Sequence, residues 1–442
     1  MTSKILLSGG CVLTLGAKTP NFTRADVLID GETVAEIAPG IRARDAEQID
    51  ATDTIVMPGF VDTHRHAWRS LSRNISAWPP NGGVVGDGDE LQPDDVYAAT
   101  LIGLLGAVEA GISTVVDWSP IRPERALADA ALRAHADAGL RTVFVHAPPA
   151  GTEDHGSSAP AIRRLVARLT EAAGPLTTIA LGSEVPGPND RARVELEWTV
   201  ARELGVRIHA HGDPQTTGPG AIAQLGRWSL LGEHVTLVHC SSLDDEDVEA
   251  IASSGATVSL APSGEMAGLR GTPPIQSLID RDIRPGLGVD EERLTPGDLF
   301  AQMRATISMQ HATVFDRKLA GKAGVPRLMS TRDVIRHATV DGARAAGLGT
   351  VTGSLEPGKK ADIVMLRTDR PNIFPINDPI GAVVWGMDTS NVDRVFASGR
   401  ALMRGGVLDA DVARARNLAT AARRRMIESS GAGPDVVSAG GA

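Results

Sequence analysis

Short apolar runs alternate with longer amphipathic stretches through the middle of the chain. The strand-like runs fall at residues 59–64, 113–117, 141–146, 177–181, 206–211, 234–239, 256–260 and 284–290, and helical stretches between them fall at 93–110, 122–138, 159–173, 192–204, 221–230 and 244–253. Eight strands spread over roughly 230 residues are what a closed parallel barrel requires. A doubly wound open sheet is the alternative, but the glycine-rich stretch at 347–353 has the wrong spacing for it and follows a helical pattern. We therefore predict an α/β fold with a (β/α)8 TIM-type barrel.

Shorter β patterns occupy both ends of the chain. Apolar runs separated by glycine-containing turns fill residues 1–57, and similar runs return between 354 and 410. We predict that the two ends form one small β-sandwich domain, with the barrel at 58–353. Helices are also expected at 295–311 and 331–345. Residues 411–442 are expected to form a C-terminal helix and a disordered tail.

Composition limits the classes of partner. The formal net charge of −10 leaves no surplus of basic surface for nucleic acid or an anionic membrane, so a small-molecule substrate is the expected partner, with a homo-oligomer open. Two cysteines, Cys11 and Cys240, do not make a disulfide framework. The N-terminus lacks a signal-peptide core, and no window has about 18 uninterrupted apolar residues. A cytoplasmic location is the expectation.

Four of the eleven histidines form two His-x-His pairs, His64/His66 and His209/His211. At this histidine frequency one such pair arises by chance in roughly a quarter of chains of this length, so either pair alone is weak evidence. Their position adds weight, because both pairs end a predicted strand, where residues i and i+2 point to the same side. In a barrel, active sites lie at that end of the strands.

Two further strand ends carry groups that can bind a metal. His239 ends the run at 234–239, and Asp290 ends the otherwise apolar run at 284–290. A lone histidine or aspartate at such a place is more often a helix cap or a satisfied core group. Suitable groups at the ends of strands 1, 5, 6 and 8 are hard to explain by packing alone, so a shared metal site is the favoured hypothesis.

Two longer motifs carry a family resemblance. Met57-Pro-Gly-Phe-Val-Asp-Thr-His64-Arg-His66 resembles the first-strand signature of the amidohydrolase superfamily, and more narrowly of its cytosine-deaminase-like, atrazine-chlorohydrolase-type branch. Gly353-Ser-Leu-Glu-Pro-Gly-Lys-Lys-Ala-Asp-Ile-Val364 is similar to the segment with which the family re-enters its small β domain. The likeness covers about residues 4–410.

The resemblance implies a role for each matching residue. His64, His66, His211 and Asp290 match the ligands of one divalent metal, for which zinc is expected, with iron or manganese as alternatives. His239 matches the sixth-strand histidine that contacts the nucleophile or the substrate. His209 lies one strand repeat deeper and is interpreted as structural or as a support behind the metal ligands. No lysine ends strand 4, so a carbamylated-lysine site with two metals is not expected.

One position departs from the family pattern. Many members of the branch carry a proton-shuttling glutamate three residues after the fifth-strand histidine, where this chain has Pro214. Asp213 could serve instead, or Asp290 alone could move the protons. Glu184 and Glu265 are other carboxylates at the same face, interpreted as substrate contacts or solvated loop residues. The departure leaves the reaction type more open than metal binding.

The expected reaction is hydrolysis of a carbon–nitrogen bond at an sp2 carbon, by a water molecule whose pKa the metal lowers to about 7. It would deaminate an amino-heterocycle or open a cyclic amide or amidine. Asp290 would accept and return the proton, and His239 would polarise the substrate. Expected substrate contacts are Trp68, Arg69, Glu184, Asp213 and Glu265. The alternatives are an amidase or peptidase of specialised metabolism, and a non-catalytic barrel relative.

Overall fold

The structure is a computed structural model that describes residues 4–74, 91–121, 126–148, 158–185, 191–212, 218–268, 270–293 and 295–429. Its strands, numbered in chain order, are β1 (Lys4–Val12), β2 (Phe22–Asp30), β3 (Thr33–Ala38), β4 (Glu47–Asp50), β5 (Thr54–Pro58), β6 (Phe60–Arg65), β7 (Ile112–Ser119), β8 (Arg141–His146), β9 (Thr177–Glu184), β10 (Arg207–His211), β11 (Val235–Val238), β12 (Thr257–Leu260), β13 (Gly286–Leu287), β14 (Ile363–Arg367), β15 (Val392–Ala397), β16 (Arg400–Arg404) and β17 (Val407–Leu408).

The helices lie mostly between the barrel strands. They are α1 (Pro93–Glu109), α2 (Leu127–Ala138), α3 (Ala159–Ala172), α4 (Arg191–Glu203), α5 (Ala221–Arg227), α6 (Asp245–Ser254), α7 (Pro262–Ala267), α8 (Ile275–Ile279), α9 (Leu299–Leu319), α10 (Thr331–His337), α11 (Val340–Ala345), α12 (Pro379–Gly381) and α13 (Val412–Ser429). Short 3-10 turns follow β6 at Ala67–Ser72 and precede β15 at Thr389–Asn391, and a π-helical turn lies at Ala382–Gly386.

Strands β6 to β13 form a parallel sheet in chain order. An isolated parallel bridge between Arg65 and Asp290 joins the last segment to the first and closes the barrel. Strands such as β8 are buried at every position, because one face lies in the barrel interior and the other lies under the helices. The fold class predicted from the alternation of strands and helices is confirmed.

Closure depends on small residues in the eighth strand segment. A Cβ on Gly288 would lie 2.7 Å from the backbone nitrogen of His64, and one on Gly286 would lie 2.5 Å from the Thr63 methyl group. The two backbones approach closely enough for the Asp290 N–H to donate to the His64 carbonyl at 2.8 Å, and for the His66 N–H to donate to the Asp290 carbonyl at 3.0 Å. These bonds bring Asp290 beside the histidine pair.

Both chain ends build the second sheet, as predicted. Its order is β17-β16-β15-β14-β5-β1-β2-β3, with β4 paired to β1. The pairing of β14 with β5 is antiparallel and connects the late strands to the early ones. Buried side chains such as Val364, Leu366 and Val395 belong to the same apolar core as the barrel residues, so the two sheets are packed together. The domain boundaries at 57/58 and 353/354 stay a prediction.

Two helix predictions were wrong in detail. The helix expected at 295–311 begins four residues later and runs to Leu319, because Asp298 caps its N-terminus by accepting from the Ala301 N–H. The stretch at 331–345 is two helices, α10 and α11, since Thr339 adopts φ −137° and ψ −90°. The predicted eighth strand at 284–290 forms ladder pairs only at Gly286–Leu287. Among the described residues, no helix has the length and apolarity needed to cross a membrane.

Candidate metal centre

The four predicted ligands meet at the C-terminal end of the barrel. His64 lies near the end of β6 and His66 follows that strand, while His211 ends β10 and Asp290 lies just after β13. All four side chains are buried. The strand order places β10 across the barrel from β6, so the site depends on closure of the barrel and not on any local sequence motif.

The distances between these side chains match a shared ion. The His211 and His64 Nε2 atoms are 3.2 Å apart. Asp290 Oδ1 lies 3.3 Å from His66 Nε2 and 3.6 Å from His64 Nε2. Four ligands arranged tetrahedrally at ~2.1 Å from an ion would be about 3.4 Å from one another. Among the described residues, the three imidazoles form one group with ligand atoms within 4.8 Å of one another, and Asp290 belongs to two further such groups, one with His64 and one with His66.

An unsatisfied atom supports the fit. Asp290 Oδ1 is buried and has no hydrogen-bond partner among the described residues. A buried carboxylate oxygen without a partner is costly, and a cation among the facing nitrogens would satisfy it. His64 Nδ1 and His66 Nδ1 also lack hydrogen-bond partners there, whereas His211 Nδ1 lies 3.2 Å from Glu184 Oε1. Of these three histidines, only His211 has a carboxylate beside its Nδ1 atom among the described residues. A contact of this kind commonly orients a metal ligand.

The protonation states suit metal binding. Burial lowers the pKa of both His66 and His211 to about 4, so both imidazoles are neutral at physiological pH. Burial by itself raises the pKa of Asp290, but the Arg270 guanidinium and the close His64 and His66 rings hold that pKa well below its usual range. Neutral imidazoles and an ionised carboxylate are the forms that coordinate a divalent metal.

One wall of the site is aromatic. Trp118, on β7, stacks on the His211 ring with 3.8 Å between centroids and 12° between planes. Glu184, at the end of β9, contacts the Nδ1 atom of His211, and its side chain is 56% exposed. Glu184 therefore lies at the mouth, where the sequence placed it, and its substrate-binding role stays a prediction.

His239 has partners at both ring nitrogens. It is fully buried just after β11, its Nδ1 lies 3.1 Å from Glu265 Oε1, and its Nε2 lies 2.9 Å from Arg270 Nη1. Glu265 is not a solvated loop residue as one interpretation held, because it is buried in α7. Burial raises the pKa of Glu265 to about 8.

Two expected substrate contacts, Arg69 and Trp68, make contacts within the protein. Arg69 pairs with Glu291, and its guanidinium lies 4.8 Å from the centre of the Trp68 ring. An anionic substrate group would have to displace Glu291 from Arg69. Trp68 is itself 4% exposed and packs in a core cluster. Asp213 lies outside the described residues.

Sequence reasoning missed two residues of the site. Glu291 lies within metal-ligand range of His66 and Asp290, and its place next to Asp290 in the chain could have indicated this. Arg270 lies 3.4 Å from Asp290 Oδ2, but the stretch around it has no periodic pattern that predicts where its side chain lies. His209 is buried beneath the cluster, and neither ring nitrogen has a hydrogen-bond partner among the described residues.

Comparisons with known proteins agree with this architecture. The model of the amidohydrolase family matches residues 55–402. A 5'-deoxyadenosine deaminase of Methanothermobacter thermautotrophicus is 27% identical over 430 residues, which cover 92% of this chain and 94% of that protein.

Solved structures show the same fold. An adenosine deaminase from Xanthomonas campestris with bound zinc has a TM-score of 0.80 at 20% identity, covering 96% of this chain and 99% of that one. An atrazine chlorohydrolase from Arthrobacter aurescens complexed with zinc also has a TM-score of 0.80 at 20% identity, covering 95% of this chain and 100% of the other.

Proposed function

This chain belongs to the amidohydrolase family, and we propose that it removes the exocyclic amino group of an amino-heterocycle by hydrolysis. Membership makes it a metal-dependent hydrolase of carbon–nitrogen bonds. The observation that carries the proposal is the convergence of His64, His66, His211 and Asp290 at one end of the barrel, with the His64 and His211 Nε2 atoms 3.2 Å apart and Asp290 Oδ1 3.3 Å from His66 Nε2. The similarity to a 5'-deoxyadenosine deaminase supports the choice of an amino-purine as the first substrate to test.

Three neutral imidazoles and one carboxylate are a ligand set that zinc favours. When bound there, such an ion would supply a Lewis acid and lower the pKa of water to about 7. His64, His66, His211 and Asp290 would hold it. The stacked Trp118 ring keeps His211 in its orientation, so the fifth-strand ligand does not have to be ordered when the ion binds.

Proton movement is assigned to Asp290. In deamination a water oxygen bonds to the ring carbon, the carbon–nitrogen bond breaks, and one water proton leaves with the amino group as ammonia. The other water proton stays on the product, which becomes a ring carbonyl with an N–H. Asp290 is ionised and lies among the ligands, so it can accept the first proton and pass it to the leaving nitrogen.

A second candidate is the opening of a cyclic amide or amidine. Pro214 stands where many relatives of this branch have the proton-shuttling glutamate. Attack on a carbonyl carbon requires stabilisation of an oxyanion but no protonation of a ring nitrogen before attack. The absence of that glutamate is therefore a smaller obstacle to amide opening than to deamination.

The test combines metal analysis with product analysis. The purified full chain is loaded with zinc and assayed for ammonia release from 5'-deoxyadenosine, adenosine, aminopyrimidines and aminotriazines, and for ring opening of cyclic amides. We expect one zinc per chain and ammonia from a member of the first group. Ring-opened product without ammonia would replace deamination with the second candidate. A zinc content far below one per chain would favour the non-catalytic alternative.

A matched pair of variants connects activity to the cluster. His211→Gln removes a ligand, whereas His234→Gln changes a half-buried histidine that lies before β11, at the other end of the barrel. We expect the first to lose zinc and activity and the second to keep both. Equal zinc content and turnover in the two variants would remove His211 from the site.

A further inference from the structure

Arg270 brings a positive charge into the site. It follows α7 in the chain, on the segment after β12. Nη1 lies 2.9 Å from His239 Nε2 and 3.4 Å from Asp290 Oδ2. The side chain is 23% exposed, so part of it is accessible from the mouth of the barrel. The guanidinium thus touches both side chains to which the sequence assigned the chemistry.

The contacts of His239 fix its tautomer. A guanidinium has only N–H donors and does not lose its proton in proteins, so His239 Nε2 must accept the hydrogen bond from Arg270. A neutral imidazole carries one proton, which is then on Nδ1, where it is donated to Glu265 Oε1 at 3.1 Å. Glu265 Oε1 is held in place because it also accepts from the Ala261 N–H at 2.8 Å.

This tautomer has no proton to offer the substrate. The Nε2 atom of His239 faces the cluster with a lone pair, and an acceptor cannot stabilise negative charge on a substrate oxygen or ring nitrogen. A residue that polarises the substrate must donate a hydrogen bond. Arg270 is a donor that lies beside His239 Nε2.

We propose that Arg270, and not His239, donates the hydrogen bond to the substrate atom on which negative charge develops during hydrolysis. His239 and Glu265 are then positioning residues, which hold the guanidinium through the chain of bonds from Arg270 to His239 to Glu265. The proposal rests on the proposed function and names a further catalytic residue for it. It also restricts the substrate, which must present a carbonyl oxygen or an unprotonated ring nitrogen beside the reacting carbon.

The first test reads the tautomer of His239 and needs no substrate. Nitrogen-15 spectra of histidine-labelled protein, with and without zinc, distinguish a ring protonated at Nδ1 from one protonated at Nε2. The signals of His239 are assigned by their loss in His239→Asn. We expect the Nδ1–H form with zinc bound. The Nε2–H form in the zinc-loaded protein would overturn the proposal, since His239 could then donate to the substrate itself.

The second test uses the substrate found by the assays above. Arg270→Gln is expected to lower kcat roughly 10²–10³-fold, as loss of one transition-state donor does, with KM changed much less. Arg270→Ala is expected to recover part of its kcat when guanidinium ion is added. The control is Arg281→Ala, at a surface arginine paired with Glu249, which should keep wild-type kcat and gain nothing from guanidinium.

The outcomes separate this proposal from the proposed function. Turnover of Arg270→Gln within threefold of wild type, on a substrate that wild type hydrolyses, would overturn the role of Arg270 and leave the function standing. Wild-type protein that holds zinc but hydrolyses none of the compounds would count against the proposed function. The tautomer measurement would still decide between Arg270 and His239 as the donor in the site.

Discussion

Two residues of the site, and the residue that follows one of them, have strained backbone conformations. Asp290, His239 and Cys240 have φ angles of 64°, 70° and 61°, in the left-handed region that most side chains avoid. Such conformations cost about 1–3 kcal/mol each and persist where the surrounding structure imposes them. Here the bonds that close the barrel at Asp290 impose the strain, and that conformation directs the Asp290 carboxylate towards the histidines. Aspartate is one of the few side chains that tolerate this region.

The first prediction concerns Asp290→Asn. Asparagine tolerates the same backbone conformation, so we expect the variant to fold, with an unchanged circular dichroism spectrum. Because an amide cannot accept the proton from water, turnover should fall at least ~10²-fold. The matched control is Asp282→Asn, an exposed residue with φ 56° outside the site, which should keep full activity. Near-wild-type turnover in Asp290→Asn would remove Asp290 from the proton transfer.

The residues that the sequence did place share one property. His64, His66, His211 and Asp290 each lie at or soon after the end of a predicted strand, and for the three histidines the alternation of side chains along a strand fixes the direction in which they point. Arg270 lies on the segment after β12, and its guanidinium contacts His239 and Asp290. Its placement could not be derived from the local sequence, because the groups that orient it belong to other strands.

At the scale of elements, the strands were predicted more accurately than the ends of the helices. A barrel strand such as β11 is a run of apolar and β-branched residues, and its burial is visible in the sequence itself. Helix ends depend on capping groups and on tertiary packing. The break between α10 and α11 occurs where the Thr339 hydroxyl donates to the Ile335 carbonyl, a local competition that periodicity does not report.

The second prediction concerns the start of α10. The Asp333 carboxylate accepts from the Ser330 N–H at 2.8 Å and the Ser330 hydroxyl at 2.7 Å, and it pairs with Arg327. The hydrogen bonds with Arg327 hold the Asp333 pKa well below its usual range. The ionised carboxylate makes these contacts, so their contribution is fully present above the unfolded-state pKa of about 4 and is lost as pH falls through the lower folded-state pKa.

Asp333→Asn should therefore lower the free energy of unfolding by about 1 kcal/mol at pH 7, a value typical of a helix cap with a partly exposed ion pair. The difference from wild type is expected to stay constant above about pH 4 and to narrow as the pH falls below that value. Urea denaturation at several pH values measures it, with Glu171→Gln on the exposed face of α3 as the control. A difference that grows as the pH falls would show that ionised Asp333 does not stabilise α10.

At the scale of the whole molecule, a buried ion pair joins the barrel to the second sheet. Arg141, the first residue of β8, donates to Asp362 at 2.6 Å and 3.1 Å and to the Ser398 hydroxyl at 2.9 Å. Asp362 also accepts from the Ser398 N–H at 2.7 Å. Both charged side chains are almost fully buried. The charges satisfy one another across the junction, so neither part of the molecule can separate without exposing an unpaired charge.

The third prediction follows from this junction. Removing one partner of a buried pair leaves the other charge uncompensated and costs about 3–5 kcal/mol, whereas replacing both with apolar residues costs far less. We expect Arg141→Met and Asp362→Leu each to be strongly destabilised in guanidinium chloride denaturation, and the double variant to be destabilised by much less than the sum of the two. The surface pair Arg163–Glu203, with side chains 44% and 52% exposed, should give a coupling below about 1 kcal/mol in the same cycle.

Additive effects at Arg141 and Asp362 would mean that the pair does not hold the barrel and the sheet together. Barrel and sheet unfolding in separate transitions in the single variants would support the predicted domain boundaries, because the junction would then be what makes them unfold as one unit.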